Sequence, residues 1–267
     1  MIREKNIEQE KAIKHKNGPC LVISGPGSGK TYVLTNRIKH LIDECSVNPK
    51  NILVITFTRA AAIEMRERFL LLDDGKLDMK VLPTFGTFHS IFYEILRSDF
   101  GYEKDSLITY EESLKYVVDV LSKLEIDVND FDIAKKVLQD IKTYKLASER
   151  EEEFEPKSLK LSTFRKVYDD YQKLLYKKRK LDFDDMISKC YELLNHNREI
   201  LSKYQKRFKY ILIDEFQDIN KSQYDLVRLI CETRNLFVVG DDDQSIYSFR
   251  GSKPQVMNDF LKDYKDA

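Results

Sequence analysis

Leu21-Val22-Ile23-Ser24-Gly25-Pro26-Gly27-Ser28-Gly29-Lys30-Thr31 is the stretch whose reading decides the fold. Leu21 to Ile23 is a short apolar run and reads as a buried strand. Gly25, Gly27 and Gly29 fall within five positions, and Lys30, Thr31 and an amphipathic run from Tyr32 to Ile42 follow. Strand, glycine-rich loop and helix in that order make a cradle for phosphate. Glycines let backbone N–H groups turn toward an anion, and the helix N-terminus adds positive potential. Ser24, Gly25, Pro26, Gly27, Ser28 and Gly29 form the cradle, Lys30 reaches the β/γ-phosphates, and Thr31 offers its hydroxyl to Mg²⁺. The usual pattern, G-x-x-x-x-G-K-[ST], begins with Gly where this chain has Ser24. The strand before the loop and the helix after it restore the reading.

Outward from the loop, short apolar runs alternate with helical patterns. Ile52 to Ile55 reads as a strand, followed by Thr56-Phe57-Thr58-Arg59 and a helix from Ala60 to about Leu72. Val81 to Phe85 is strand-like and leads into Gly86-Thr87-Phe88-His89-Ser90. Tyr210 to Ile213 is a strand ending in Asp214-Glu215-Phe216-Gln217-Asp218. Leu236 to Val239 is another, ending in a run from Gly240 to Gly251. Such alternation predicts an α/β fold with a parallel sheet covered by helices, its ligand loops at the carboxyl ends of the strands. Asp214 is placed to hold Mg²⁺, and Glu215 to orient and deprotonate a water. Gln244 is a candidate sensor of the γ-phosphate. Hydroxyls and rings after the second and third strands suit phosphate oxygens and bases, although spacing alone favours Phe57 and Phe88 as core aromatics. Gln9, before the loop, has an amide able to donate to and accept from one adenine edge.

Between Glu94 and Lys180 the period changes. Leu114, Val117, Val118, Leu121 and Leu124, then Ile133, Val137, Leu138 and Ile141, then Phe164, Val167, Tyr168, Tyr171 and Leu175 recur at helical spacing. The division expected is 1–93 and 181–267 as one α/β domain, interrupted by an all-helical 94–180. Glu149 to Pro156 reads as an exposed acidic connection, Lys177-Lys178-Arg179-Lys180 as a basic run that either tracks a nucleic-acid backbone or ends a solvated helix, and Leu181 to Met186 as the start of a helix.

The 267 residues include 34% charged ones, yet net charge is zero, so any attraction to nucleic acid must be a local patch. Cys20, Cys45, Cys190 and Cys231 are far apart and form no CxxC, and the four histidines show no ligand spacing. No apolar run approaches the length of a membrane span, and the N-terminus lacks a signal-peptide core. These features read as a soluble cytoplasmic protein with no membrane partner.

With these residues in place, the chain resembles superfamily 1 DNA helicases of the UvrD/Rep/PcrA type over nearly its whole length. Ser24 to Thr31 resembles helicase motif I, Thr56 to Met65 motif Ia, Gly86 to Ser90 the G-T-F-H-S segment, and Leu181 to Met186 the L-D-F-D-D-L stretch. Asp214 to Asp218 resembles motif II and Val239 to Gly251 motif III. The resemblance implies a RecA-like P-loop NTPase domain interrupted by the helical one, using ATP and Mg²⁺. It places Gln9 and Arg37 at the adenine. It places Phe57, Thr58, Arg59, Thr87, His89, Tyr247, Phe249 and Arg250 on single-stranded DNA or a single/double-strand junction. Arg59 and Ala60 replace the family's usual Asn and Lys, and Phe249 stands where several relatives have Trp. Motifs IV to VI belong to a second RecA-like domain that would follow Ala267, so this portion alone is expected to hydrolyse ATP poorly. The alternatives are the helicase portion of an AddA-like helicase–nuclease and a P-loop DNA-binding module that never translocates.

Overall fold

A computed structural model describes residues 6–75, 78, 80–126, 131–149, 152–241 and 255–267. The elements in chain order are α1 (Ile7–Lys14), β1 (Cys20–Ile23), α2 (Lys30–Asp43), β2 (Ile52–Thr56), α3 (Arg59–Asp73), β3 (Thr84–Thr87) and α4 (Phe88–Phe100). Next come α5 (Tyr110–Lys123), α6 (Phe131–Glu149), α7 (Leu161–Lys177), α8 (Met186–His196) and α9 (Arg198–Arg207). The last are β4 (Tyr210–Ile213), α10 (Lys221–Ile230), β5 (Leu236–Gly240) and α11 (Gln255–Asp263).

The five strands form one sheet in the order β1-β5-β4-β2-β3, every pairing parallel. All carboxyl ends therefore lie along one edge. The inner strands β2 and β5 are buried at every position, as continuous apolar runs covered on both faces must be. Ile52 and Val54, Leu212, and Phe237 and Val239 pack on one face against Val33, Leu34, Ile38 and Leu41 of α2 and Met65 and Phe69 of α3. Leu53, Ile55, Ile211, Ile213 and Val238, pointing the other way by the two-residue period, are buried as well.

Two compact units emerge. One comprises residues 1–91 and 191–267 and contains the sheet; the other, 92–190, is helical. In the second, Val117, Val120 and Leu121 of α5, Val137, Leu138 and Ile141 of α6, and Phe164, Val167, Tyr171 and Leu175 of α7 share a core. The ring of Tyr144 meets those of Phe154, Phe164 and Tyr168 at 4.9–5.5 Å between centroids, so Phe154 of the acidic connection is drawn inward. Asp140 fastens that connection, accepting from the Lys157 and Ser158 backbone N–H groups.

Three local expectations are corrected. The third strand runs over Thr84–Thr87, because Pro83 has no N–H for a ladder and the pairing with β2 begins after it. Gly86 and Thr87 thus belong to the strand itself. Leu181 to Asp185 do not begin a helix; α8 starts at Met186. Asp182 accepts from the Asp184 N–H, and both Asp182 and Asp185 turn inward to the buried Lys145 ammonium, at 3.1 and 2.7 Å. Finally, Lys180 leaves the basic run to pair with Glu112 at 3.0 Å and to donate to the Asp105 carbonyl.

Candidate functional site

The loop between β1 and α2 is built for an anion. Gly27 and Gly29 hold positive φ values of 70° and 96°, a region other residues enter only with strain. A Cβ added at Gly27 would meet nothing within 4 Å, so the space above the loop is open. At Gly29 it would meet the Gln9 amide nitrogen at 3.0 Å. Gly29 is also the cap of α2 and offers no side-chain acceptor. Thr58, Thr109, Asn197 and Asn220 do cap α3, α5, α9 and α10. The first N–H groups of α2 are left for an external acceptor. Ser24, at the variant first position, donates its N–H to the Gly240 carbonyl, while its hydroxyl oxygen is buried without a hydrogen-bond partner. Ser28 closes the loop on the Gly25 carbonyl.

Across the edge, β4 ends in Asp214 and Glu215, and β5 in Gly240 and Asp241. Lys30, only 10% exposed, lies 3.1 Å from a Glu215 carboxylate oxygen and 3.7 Å from an Asp241 oxygen. Glu215 has a positive φ of 51°, the kind of local strain that collects at working sites, and its side chain keeps solvent access. Asp214 is buried, and that burial, together with the neighbouring Glu215 charge, pushes its pKa up to about 6; the Glu215 N–H and Lys30 only partly oppose this. A carboxylate this costly to ionise suits a position meant to face a cation. Among the described residues no three His, Cys, Asp or Glu side chains form a metal cluster.

A buried carboxyl with a raised pKa, such as that of Asp214, destabilises the fold once it ionises. Its contribution to stability is full below pH 4 and is lost as pH rises through 6. Asp214→Asn removes the penalty, so without Mg²⁺ it should stabilise the chain at pH 7.5 by on the order of 2–3 kcal/mol, and hardly at pH 4. Thermal melts of both proteins at the two pH values provide the check; a less stable variant at pH 7.5 would refute it.

Gln9 donates from its amide to the Ser28 carbonyl at 2.7 Å, leaving one N–H and its carbonyl oxygen over the loop. Beside it runs a groove of about 420 Å³ lined by Gln9, Ile13, Tyr32 and Asn36, among others. Tyr32 and Asn36 were not anticipated; their spacing of four on one face of α2, after Thr31, was the available signal. Arg37 is a correction. Its guanidinium is 1% exposed, lies 4.2 Å over the Phe237 ring and donates to the Ala12 carbonyl at 3.4 Å. Burial lowers its pKa to about 10, and the groups that feel its charge include Cys20 and Tyr210, the first residues of β1 and β4. The loop leaves from the opposite ends of the strands, about 10 Å away. Arg37 is a packing residue.

Thr56 and Thr87 are partners in the β2–β3 register, so the segments after these strands lie side by side on the same edge. Phe57 is 54% exposed, contrary to the core role that spacing favoured, whereas Phe88 is 3% exposed and fills the core. Thr58 caps α3, with Arg59 exposed beside it. Thr87 exchanges hydrogen bonds with Ser90, and His89 is half-buried. Gln244, Tyr247, Phe249 and Arg250 lie outside the described residues.

A phosphate cradle, a buried acidic tip two strands away and a second exposed cluster share one edge of a parallel sheet. The sequence profile of the UvrD/REP helicase N-terminal domain matches residues 5–265. The chain belongs to this family. It is 40% identical over 278 residues to the ATP-dependent DNA helicase PcrA of Staphylococcus aureus strain Mu50, covering 100% of this chain and 37% of that protein. PcrA of Bacillus subtilis strain 168 is also 40% identical, over 98% of this chain and 36% of its own. The chain thus spans little more than a third of the length of these curated relatives. Within the UvrD/REP frame, Asp241 and Gln217 join the site as residues that motif reading left without a role. Register offered the clue to Asp241, since it directly follows the last residue of a buried strand. No described helix is long and apolar enough to cross a membrane.

Proposed function

We propose that this chain is the ATP-binding portion of an ATP-dependent DNA helicase that moves along single-stranded DNA. One observation carries the reading: the phosphate loop and the Asp214-Glu215 tip converge through the Lys30–Glu215 pair. Gly25 to Thr31 would hold the phosphates, with Lys30 leaving its carboxylate partners for them. Thr31 and Asp214 would hold Mg²⁺, which when bound neutralises phosphate charge. Glu215, solvent-accessible and adjacent to Lys30, would take the proton of the attacking water. Gln9, Tyr32 and Asn36 would meet the base. Phosphoryl transfer also calls for arginines at the developing charge. No arginine bonds the loop, Asp214 or Glu215 among the described residues, and the reading assigns that task to a second RecA-like domain of the longer protein.

Single-stranded DNA would cross the β2–β3 half of the edge, on Phe57, Thr58, Arg59, Thr87 and His89. Exposure of Phe57 supports this, since a large ring left in water beside a cation is a stacking platform. Stacking is worth about 1–3 kcal/mol per base, so Phe57→Ala should weaken binding by roughly 5- to 150-fold. Fluorescence anisotropy with a labelled oligothymidylate, at fixed salt, measures this. Unchanged affinity would move the DNA path elsewhere, and loss of strand separation without loss of DNA affinity would separate binding from motor action.

A further inference from the structure

Four residues close a ring across the ends of β4 and β5 and the phosphate loop. Lys30 meets Glu215 at 3.1 Å. The same Glu215 oxygen accepts from the Gln217 amide nitrogen at 3.0 Å. The Gln217 amide oxygen accepts from the Asp241 N–H at 3.0 Å. Asp241, 0% exposed, returns to Lys30 at 3.7 Å. Gln217 is thus the only side chain among the described residues that ties the Glu215 carboxylate to the backbone of β5's tip.

We propose that Gln217 is a positioning residue for hydrolysis, holding Glu215 in place from the β5 tip once Lys30 has turned to the phosphates. The proposal rests on the reading of Glu215 as the base. Its chemistry demands an amide. The donor must face a carboxylate and the acceptor a backbone N–H, from one planar group, and a carboxylate there would repel Glu215. Glu215 has two donors on one oxygen, the Lys30 ammonium and the Gln217 amide. Phosphates compete for Lys30, and the Gln217 N–H then remains. Packing supports the same alignment, because the space beside Gly240 is filled by Gln217. A Cβ there would come within 2.9 Å of the Gln217 amide oxygen and 2.4 Å of the Met257 methyl. The buried Met257 methyl would have to shift, and the Gln217 amide would have to leave the Asp241 N–H.

The test uses the complete protein with single-stranded DNA at saturation. Gln217→Met keeps the bulk without hydrogen bonds, and Gly240→Ala dislodges the amide from the other side. Both should lower kcat by roughly 10- to 100-fold, the cost of a misaimed group, with nucleotide Kd unchanged. Melting temperature should fall modestly in each, since Gly240→Ala crowds the buried Met257 and Gln217→Met leaves the Asp241 N–H without its acceptor. Gln217→Glu should be at least as impaired as Gln217→Met. Full kcat in Gln217→Met while Glu215→Gln is inactive overturns the proposal alone. A fall in kcat matched by an equal loss of nucleotide affinity also overturns it, since that pattern belongs to a merely structural side chain. An active Glu215→Gln removes both the proposal and the reading beneath it.

Discussion

Replacing Glu215 with Gln should reduce ATP turnover by about 10²–10⁴-fold, the usual contribution of a positioned general base. Gln occupies the same volume and can still accept a hydrogen bond from Lys30 or Gln217, so folding should be preserved. It cannot accept the proton of an attacking water. The substitution also removes a negative charge 3.1 Å from Lys30, in the place the phosphates would approach. Nucleotide affinity should therefore hold or rise while kcat collapses, the pattern expected when only the transition state loses an interaction. Phosphate release by the complete protein, with saturating ATP and single-stranded DNA, is the measurement. Turnover within a few-fold of the parent would remove Glu215 from the chemistry.

Lys30→Ala should act on the other side of that divide, through binding. Lys30 faces Glu215 and Asp241, and Asp214 is buried nearby at the tip of β4. Without the ammonium, those carboxylates would meet the phosphates uncompensated. A hydrogen bond to a charged group contributes about 1.5–3 kcal/mol, and unbalanced negative charge adds to the loss. Affinity for a fluorescent ATP analogue should fall by roughly 100-fold or more. The N–H groups at the start of α2 survive the substitution, so weak binding of free phosphate should persist. An unaltered analogue Kd would detach Lys30 from the nucleotide.

Much of the fold is legible in the sequence. Apolar runs bounded by glycine or acidic tips define the strands, and β4 covers the Tyr210 to Ile213 run. Continuous burial of β2 and β5 explains why those runs showed no alternation. The loop declared itself because glycine alone enters the φ region of positions 27 and 29 without strain. What escaped depended on contacts distant in sequence. Arg37 lies on α2 like a residue that could reach a ligand, but it turns under the sheet to Phe237, and motif alignment cannot report which way a helix face points. Phe57 looked like core because large aromatics usually are; a single strand end decides between water and interior. The acids of Leu181 to Met186 suited a helix start, and only the fold could bring Lys145 to them from 37 positions away. Gln217 was visible as a letter in a motif, yet its role needs the Asp241 N–H, which lies 24 positions on.

One sheet edge should divide, with nucleotide at the ends of β1, β4 and β5 and single-stranded DNA at the ends of β2 and β3. Photo-crosslinking tests it most directly, with an azido-ATP analogue and a halogenated oligonucleotide on the same protein and peptide mapping of each adduct. Nucleotide adducts should fall on the peptides holding Gln9 and Ser24 to Asn36. DNA adducts should fall on those holding Phe57 to Arg59 and Thr87 to Ser90. Nucleotide adducts on the β2–β3 peptides, or DNA adducts confined to the helical unit of residues 92–190, would contradict it.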